Sequence, residues 1–496
     1  MNLREKAIKG VFWTGVQNWG SNLATTVVLL ILARLLGVRT FGLVALASVF
    51  IAFLQIFQRQ GLAQAVVQRA DLKPGHLNAA FWISLASGGI LTVVGIAAAG
   101  PVAFVLARWQ PSPINVALLA SVIQWLSLNF LIAALGNTPQ AILRRNLAFK
   151  SLAMRSLAAS FVGGIVGVAM ALNGFGVWSL VGQRLTSALA GTITLWIACH
   201  WWPGVAVSAK HFRDLFGFGV YLMGNETIGF FNRRMPDLLI GAFLGTAALG
   251  YYTVGYRLLL ILSQLFTQTI SGVALPTFSR LQHNYAQMGQ ALLTATSMTS
   301  LLAIPAFLGM AVLAPELVVG LIGQKWNQSV PIMQILAFLG IMQSVTFFNP
   351  PVITACGKPS WNLGLGLVNA VANVVVLTIA LPWGIVVVAA AFVIRAYAFA
   401  PLPLLVVRKL IGLSIKRYLR QLIAPAAGSL AMVVFVYTAK RAFADVFSLH
   451  VLLVVCVLVG VLIYTLVIHL IAPGRLRQAV EYVRLALPLG DQRAPK

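Results

Sequence analysis

Five ionisable side chains lie close together within two apolar stretches of this 496-residue chain. They are Glu226, Arg233, Arg234, Asp237 and Arg257. A charged group inside a transmembrane segment is costly to insert and indicates a functional site unless a partner neutralises it. Arg233 and Asp237 are four residues apart on one helix face, which predicts an ion pair between them. Pro236 removes a backbone donor and predicts a kink that opens this helix toward a cavity.

The excess of arginine over acid inside the apolar stretches indicates an anionic ligand, because guanidinium groups bind phosphate in a bidentate manner. We predict six substrate-binding side chains: Arg59, Arg184, Arg234, Tyr252, Tyr256 and Arg257. Arg59 lies near the end of its span and could instead extend to the membrane interface. The two tyrosines could face sugar rings, although aromatic side chains in a membrane bundle more often serve in packing.

Glu226, Asp237 and Arg233 form the predicted coupling or gating group. A carboxylate in a span is expensive to keep ionised. If Glu226 faces the cavity alone it could take up a proton, and if it pairs with an arginine it is a structural or gating tie. The chain has no phosphate-binding GK[ST] loop, HExxH motif or nucleophile elbow. We therefore predict no catalytic residues, no metal site and no cofactor, and transport would depend on an ion gradient, the membrane potential or a substrate gradient.

The composition places these residues in a multi-pass membrane protein. The chain is 60% hydrophobic and 9% charged, yet it has a net charge of +26. A soluble domain could not bury so much apolar surface, and long apolar runs between the basic residues exclude a nucleic-acid-binding protein. About fourteen apolar segments are long enough to cross a bilayer. Their basic flanking residues concentrate on one side, which predicts that both termini are cytoplasmic.

An internal repeat organises the predicted helices. Residues 36–42 read LGVRTFG and residues 244–250 read LGTAALG, six predicted helices later. An even number of helices makes the repeat parallel, although short Leu-Gly turns could also recur by chance. The predicted organisation is an N-terminal six-helix lobe (1–200), a cytoplasmic linker (201–214), a second six-helix lobe (215–407), an interfacial amphipathic linker (408–421), two extra transmembrane helices (422–472) and a cytoplasmic amphipathic tail (473–496).

Several segments resemble one family of membrane proteins. They are RRMPDLLIGAFLGTAALGYYTVGYR at 233–257, LPTFSRLQ at 275–282, GLAQAVVQR at 61–69, PQAILRRNLAFK at 139–150 and GQKW at 323–326. In combination they resemble the polysaccharide transporter family of the multidrug/oligosaccharidyl-lipid/polysaccharide flippase superfamily, of the colanic-acid and xanthan exporter type. Relatives often place an acid just before the glycine that matches Gly61. Here Gln58, Arg59 and Gln60 stand there instead, which makes acid-dependent coupling at that point doubtful.

The resemblance implies an all-α fold like that of multidrug and toxic-compound (MATE) transporters, with two lobes around an alternately opening cavity. It implies a flippase that moves an undecaprenyl-pyrophosphate-linked oligosaccharide repeat unit to the outer leaflet of the bacterial inner membrane, for exopolysaccharide or O-antigen assembly. A polysaccharide polymerase and export complex would be partners.

Three alternatives remain at this point. A multidrug or cation antiporter of the same fold would need acidic cavity residues, and the candidates here are mostly arginine. A membrane glycosyltransferase or polymerase would normally carry a long outside loop, and the outside loops here are short. An envelope scaffold that transports nothing would be separated from a transporter by reconstitution without partners.

Overall fold

The structure is a computed structural model that describes residues 3–58, 66–67, 72–204 and 219–486. The main helices are α1 (Leu3–Leu35), α2 (Val38–Gln58), α3 (Pro74–Arg108), α4 (Val116–Arg145), α5 (Phe149–Leu172), α6 (Val177–Ala198), α7 (Gly219–Leu239), α8 (Gly245–Arg280), α9 (Tyr285–Val312), α10 (Ala314–Leu321), α11 (Ser329–Thr346), α12 (Asn349–Ala355), α13 (Pro359–Ala380), α14 (Ile385–Phe399), α15 (Pro401–Ile411), α16 (Ile415–Phe443), α17 (Leu449–Ile471) and α18 (Pro473–Ala486). Every regular element in the described ranges is helical, which confirms the predicted all-α class.

Twelve segments of the described residues are long and apolar enough to cross a membrane, against about fourteen predicted. The predicted sixth span corresponds to α6, which is not among the twelve because Gln183, Arg184 and Ser187 make it more polar. The predicted seventh and eighth spans, at about 216–242 and 249–273, both overlap one continuous helical segment, Glu226–Gln264, and are counted once. The chain is therefore a multi-pass membrane protein.

The chain divides into two compact units. Unit 1 comprises residues 1–254 and 366–391, and unit 2 comprises residues 255–365 and 392–496. These units do not test the predicted lobes at 1–200 and 215–407, which stay a prediction. Most of the linker predicted at 201–214 and the end of the predicted tail, 487–496, lie outside the described residues.

In unit 1 the two repeated heptads pack against each other. A Cβ at Gly42 would overlap the carbonyl oxygen of Thr246, and a Cβ at Gly250 would overlap the carbonyl oxygen of Val38. Val38 and Thr246 occupy the third position of their heptads, and the two glycines occupy the seventh. Such a reciprocal contact is what a two-fold relation produces. The predicted turns at the two heptads thus lie at the same end of the unit, and we call this contact the glycine crossing.

The helix predicted to kink at Pro236 changes geometry just after that residue. The α-helix α7 runs through Pro236 and gives way to a π-helical turn, Ile240–Leu244. Gly245 then adopts a φ of +92°, a conformation that favours glycine, and begins α8. Single π-helical turns are rare and occur frequently at functional sites.

In unit 2 the last two transmembrane helices are fixed to the helices before them. The hydroxyl of Tyr464 on α17 donates to the carbonyl oxygen of Leu301 on α9 at 2.6 Å. Lys440 at the end of α16 pairs with Glu316 on α10 at 2.7 Å. Glu316 is buried, so this ion pair has a structural role.

The segment 408–421, predicted as an interfacial amphipathic linker, does not form one continuous helix. Its first residues belong to the end of α15, and its last residues belong to the start of α16. Gly412 ends α15 in a left-handed conformation with a φ of +68°, and Ser414 accepts a hydrogen bond from the Arg417 amide at the start of α16. The basic residues therefore flank a turn between two membrane helices. The helix predicted in the tail is present as α18, where Arg475 donates to the carbonyl oxygen of Gln421 at 2.8 Å.

Candidate functional site

A cavity of about 290 Å³ lies between α2 and α7 of unit 1. Its lining residues are Ala52, Gln55 and Ile56 on α2 and Glu226, Phe230, Arg233 and Arg234 on α7. The α7 residues follow one another at intervals of four, three and one, so they share one helix face. That face presents three charged side chains to the apolar helix α2. We call this space the arginine cavity.

Two ion pairs connect the charged residues of α7. Arg233 Nη2 lies 3.6 Å from Glu226 Oε2, and Arg234 Nη1 lies 3.0 Å from Asp237 Oδ2. The predicted pair between Arg233 and Asp237 is therefore wrong. Helical side chains lean toward the N-terminus, and Gly229 has no side chain to obstruct Arg233. A Cβ at Gly229 would lie only 2.8 Å from Arg233 Nη1, so the guanidinium reaches back across this glycine to Glu226.

The two pairs differ in their exposure. The Arg233 side chain is 63% exposed and its partner Glu226 is 33% exposed, whereas the Asp237 side chain is only 12% exposed. A long, exposed ion pair contributes little to stability, so Arg233 can exchange Glu226 for another anion at low cost. Arg234 must remain near Asp237, because removing one partner leaves a buried charge uncompensated.

A third arginine lies one helical turn from the cavity. Arg184 on α6 donates from Nη1 to the hydroxyl of Ser48 at 2.6 Å. Ser48 precedes Ala52 by four residues and so shares its face of α2. Arg184 is exposed, and it extends the positive charge of the arginine cavity along α2.

Three asparagines hold α7 against α13 beside the cavity. Asn232 donates to the carbonyl oxygen of Gly366 at 3.0 Å and accepts from the Asn369 amide at 2.6 Å. Asn373 donates to the Asn232 carbonyl oxygen at 3.2 Å. Amide side chains bond helices together inside membranes, where water cannot compete for them. Because Asn232 immediately precedes Arg233, this network positions the charged face of α7.

The aromatic residues of this region line and support the cavity. The rings of Phe53 and Phe230 meet edge to face with centroids 5.7 Å apart. Phe230 is buried and also packs with Val49 and Ile56. These rings support the segments of α2 and α7 that line the cavity.

The structure brings some of the predicted site residues together and not others. Arg233, Arg234 and Glu226 line one cavity, with Asp237 adjoining it. Tyr252 is 1% exposed in this conformation. Tyr256 and Arg257 belong to unit 2, and Arg59 lies outside the described residues. The substrate contacts predicted for these four residues stay predictions.

Sequence reasoning missed Gln55 and the asparagine network. Gln55 is an uncharged polar residue three positions after Ala52 within an apolar helix. Asn369 and Asn373 are four residues apart and share a helix face. Amide side chains at helical spacing inside spans were therefore the available signal, and a search limited to ionisable residues passes over it.

Comparison with known proteins identifies the family. A family model described as "Polysaccharide biosynthesis protein" matches residues 31–331, more than half of the chain. The chain belongs to this family. The arginine cavity lies on α2 and α7, within the matched region. The resemblance to the polysaccharide transporters is thereby confirmed.

Among relatives, the chain is 27% identical over 366 residues to the succinoglycan biosynthesis transport protein ExoT of Rhizobium meliloti (strain 1021). The match covers 74% of this chain and 72% of that relative. The prediction that this polysaccharide biosynthesis protein is a transporter and not an enzyme is confirmed by such relatives.

Two solved structures share the fold. The lipid II flippase MurJ, in an inward closed conformation, matches with a TM-score of 0.75 at 15% identity, covering 95% of this chain and 99% of that one. An inward-facing multidrug resistance MATE transporter of the multidrug/oligosaccharidyl-lipid/polysaccharide (MOP) superfamily matches with a TM-score of 0.59 at 17% identity, covering 79% and 94%. The predicted MATE-like fold is confirmed.

Proposed function

We propose that this polysaccharide biosynthesis protein flips an undecaprenyl-pyrophosphate-linked oligosaccharide repeat unit from the inner to the outer leaflet of the bacterial inner membrane. Both termini would lie in the cytoplasm, and the product would supply exopolysaccharide or O-antigen assembly by a polymerase and export complex. Family membership and the transport function in the name of ExoT support this class of substrate.

The arginine cavity is the main structural support for this proposal. A pyrophosphate needs several donors at one place, and Arg233, Arg234 and Gln55 supply them around one cavity. Two of these donors are guanidinium groups, each of which can bind two phosphate oxygens at once. The lining has two arginines and one acid, Asp237 compensates Arg234 from outside that lining, and Arg184 adds a third guanidinium group one turn away on the same face of α2. An anionic head group is therefore favoured over a cation.

Glu226 acts as a tie in this mechanism. In the absence of substrate it pairs with Arg233 across Gly229. An entering pyrophosphate competes for the same guanidinium and displaces the carboxylate, because charge-assisted hydrogen bonds to phosphate are strong. The displaced Glu226 is then free to respond to the next step of the cycle. The sequence allows two roles for Glu226, proton uptake or a structural or gating tie. This mechanism assigns it the gating role.

The size of the cavity explains why a conformational change is needed. Its 290 Å³ is near the lower end of the roughly 300 to 1,000 Å³ that small-ligand sites occupy. The cavity holds a pyrophosphate and little more, so an oligosaccharide repeat unit can pass only when the helices separate. Alternating access provides that separation and carries the head group across.

The antiporter alternative needs an acid that is free to bind a cation or a proton. In the arginine cavity the acid is Glu226, which is already paired with Arg233. A multidrug or cation antiporter is therefore the weaker proposal.

Reconstitution tests the proposed function. Purified protein in liposomes that contain the lipid-linked oligosaccharide should expose that lipid to an external, membrane-impermeant glycosidase faster than protein-free liposomes do. The double variant Arg233→Gln/Arg234→Gln should slow this exposure by at least about tenfold per lost charged contact. Arg39→Gln/Arg108→Gln, which removes two exposed arginines outside the cavity, is the matched control and should leave the rate unchanged. Equal rates in liposomes with and without the wild-type protein would contradict transport and favour a scaffold.

A further inference from the structure

A second arginine group lies at the junction of α4, α5 and α6, and the arginine cavity does not use it. The segment PQAILRRNLAFK, 139–150, contributes Gln140 and Arg144 from the end of α4, and α5 contributes Arg155. With the Gln140 amide oriented to satisfy its neighbours, its oxygen accepts from Arg144 Nη2 at 3.0 Å and from Arg155 Nη1 at 3.3 Å. Two cations thus converge on one neutral oxygen.

Within the described residues, the two guanidinium groups of this site have no carboxylate partner. Among the residues that the structure describes, no carboxylate forms an ion pair with Arg144 or Arg155. The Nε of Arg155 is buried and has no acceptor within the described ranges. Two like charges held on a single amide oxygen repel each other, and a buried N–H without an acceptor is costly. An anion between the two guanidiniums would relieve both costs.

The neighbouring basic residues are already engaged. Arg145 donates to the carbonyl oxygen of Val66 at 3.0 Å, and the Lys150 amine lies 5.7 Å from the centre of the Trp13 ring. Arg144 and Arg155 therefore differ from these neighbours in their contacts, although all four side chains are positively charged. Arg155 packs beside Gly191 on α6, where a Cβ would lie in ordinary van der Waals contact with Arg155 Nε at 3.5 Å.

The depth of the group fits the head-group region of a bilayer. Helix α4 has 30 residues and is about 45 Å long, which exceeds the roughly 30 Å of hydrocarbon. Its last turn carries Arg144 and Arg145, whose charges favour a position at the level of lipid phosphates, and Arg155 lies only about 9 Å into α5. Leu147 and Met154 are exposed apolar side chains close by in the chain, suited to contact with acyl chains.

We propose that Gln140, Arg144 and Arg155 form a binding site for the phosphate group of a membrane lipid. Basic pockets between transmembrane helices bind lipid head groups in this way. Two sources carry this chemistry: an anionic phospholipid of the bilayer, and the diphosphate of a polyprenyl lipid approaching the protein. The site does not rest on the proposed function, since binding of either lipid can be measured without transport.

Lipid binding to the full-length protein tests the site. Protein in a phosphate-free neutral detergent is titrated with phosphatidylglycerol, with undecaprenyl diphosphate and with a phosphate-free galactolipid, and bound lipid is counted by native mass spectrometry. Arg144→Gln/Arg155→Gln should weaken binding of a phosphate-bearing lipid by about tenfold or more. The galactolipid should be unaffected. Arg39→Gln/Arg108→Gln, which removes two exposed arginines elsewhere, should bind like the wild type.

The outcomes separate the two sources. A loss for phosphatidylglycerol identifies a bilayer phospholipid as the ligand, and a loss for undecaprenyl diphosphate alone identifies the polyprenyl lipid. If the double variant does not fold, Arg144→Gln alone changes an exposed side chain and should still weaken binding by about threefold. Unchanged binding of both phosphate-bearing lipids by the folded variants would overturn the site and leave the transport proposal intact.

Discussion

At one end of α2, Gly42 packs directly on the backbone of α8, whereas about 20 Å further along the same helix Gln55 borders the arginine cavity. Both contacts join α2 to the α7–α8 segment within unit 1. The glycine crossing excludes even a methyl group, and the cavity keeps the helices apart with long charged side chains. Helix α2 and the α7–α8 segment are thus in close contact at one end and separated by the cavity at the other. A site that faces one side of a membrane requires this arrangement.

Breaking the glycine crossing should have the largest effect. Gly42→Val places a branched side chain into the carbonyl of Thr246, and overpacking of this kind typically costs about 1–3 kcal/mol. We expect a lower unfolding temperature and a lower yield of folded protein in detergent. Gly89→Val is the matched control, because nothing lies within 4 Å of a Cβ at Gly89. A Gly42→Val protein as stable as the Gly89→Val protein would show that the crossing is loose.

Single variants of the two cavity arginines should differ in stability. Arg234→Gln leaves the buried Asp237 without its partner, so both stability and transport should fall, transport by about tenfold or more. Arg233→Gln removes only the long, exposed pair to Glu226, so transport should fall while the unfolding temperature stays near that of the wild type. Thermal unfolding and the liposome assay measure both. Equal losses of stability in the two variants would contradict the assigned pairs.

Weakening the asparagine network should have an intermediate effect. Asn369→Leu removes the donor to Asn232, and hydrogen bonds between membrane helices contribute about 0.6 kcal/mol on average. We expect a small decrease in stability and a decrease in transport of about threefold, because α7 loses part of its alignment. Asn362→Leu, on the same helix but bonded to the carbonyl oxygen of Pro350, is the control. If Asn369→Leu transports at the wild-type rate, the asparagine network does not position α7.

The smallest effect is expected from Glu226→Gln. The variant keeps size and hydrogen-bonding capacity but weakens the tie to Arg233, so substrate binding should be unchanged or slightly tighter. A gating tie predicts a change in transport rate of less than about threefold with the same pH dependence as the wild type. Measured rates across a pH series decide this. A loss of pH dependence in Glu226→Gln would instead assign proton coupling to this carboxylate.

Helix content, family and the charged stretch of α7 could be predicted from the sequence, because they depend on hydropathy and on strings of residues. The partner of Arg233 could not, because it depends on Gly229 leaving a path to Glu226. The helix break at Gly412 within the predicted amphipathic linker was not predicted, although a glycine after a basic helix end is a termination signal. The glycine crossing was visible only as a repeated heptad, since backbone contacts between distant helices leave no local pattern.

In the proposed mechanism, the arginine cavity receives the anionic head of the substrate. Protection of a cysteine in the cavity tests it most directly. Ala52→Cys lines the cavity and is made in a protein whose Cys199, Cys356 and Cys456 are replaced by serine. Its labelling by a small water-soluble thiol reagent should slow by about tenfold when undecaprenyl-pyrophosphate-linked oligosaccharide is bound, and this protection should disappear in Arg233→Gln/Arg234→Gln. Labelling at the same rate with and without the lipid-linked oligosaccharide would contradict the account.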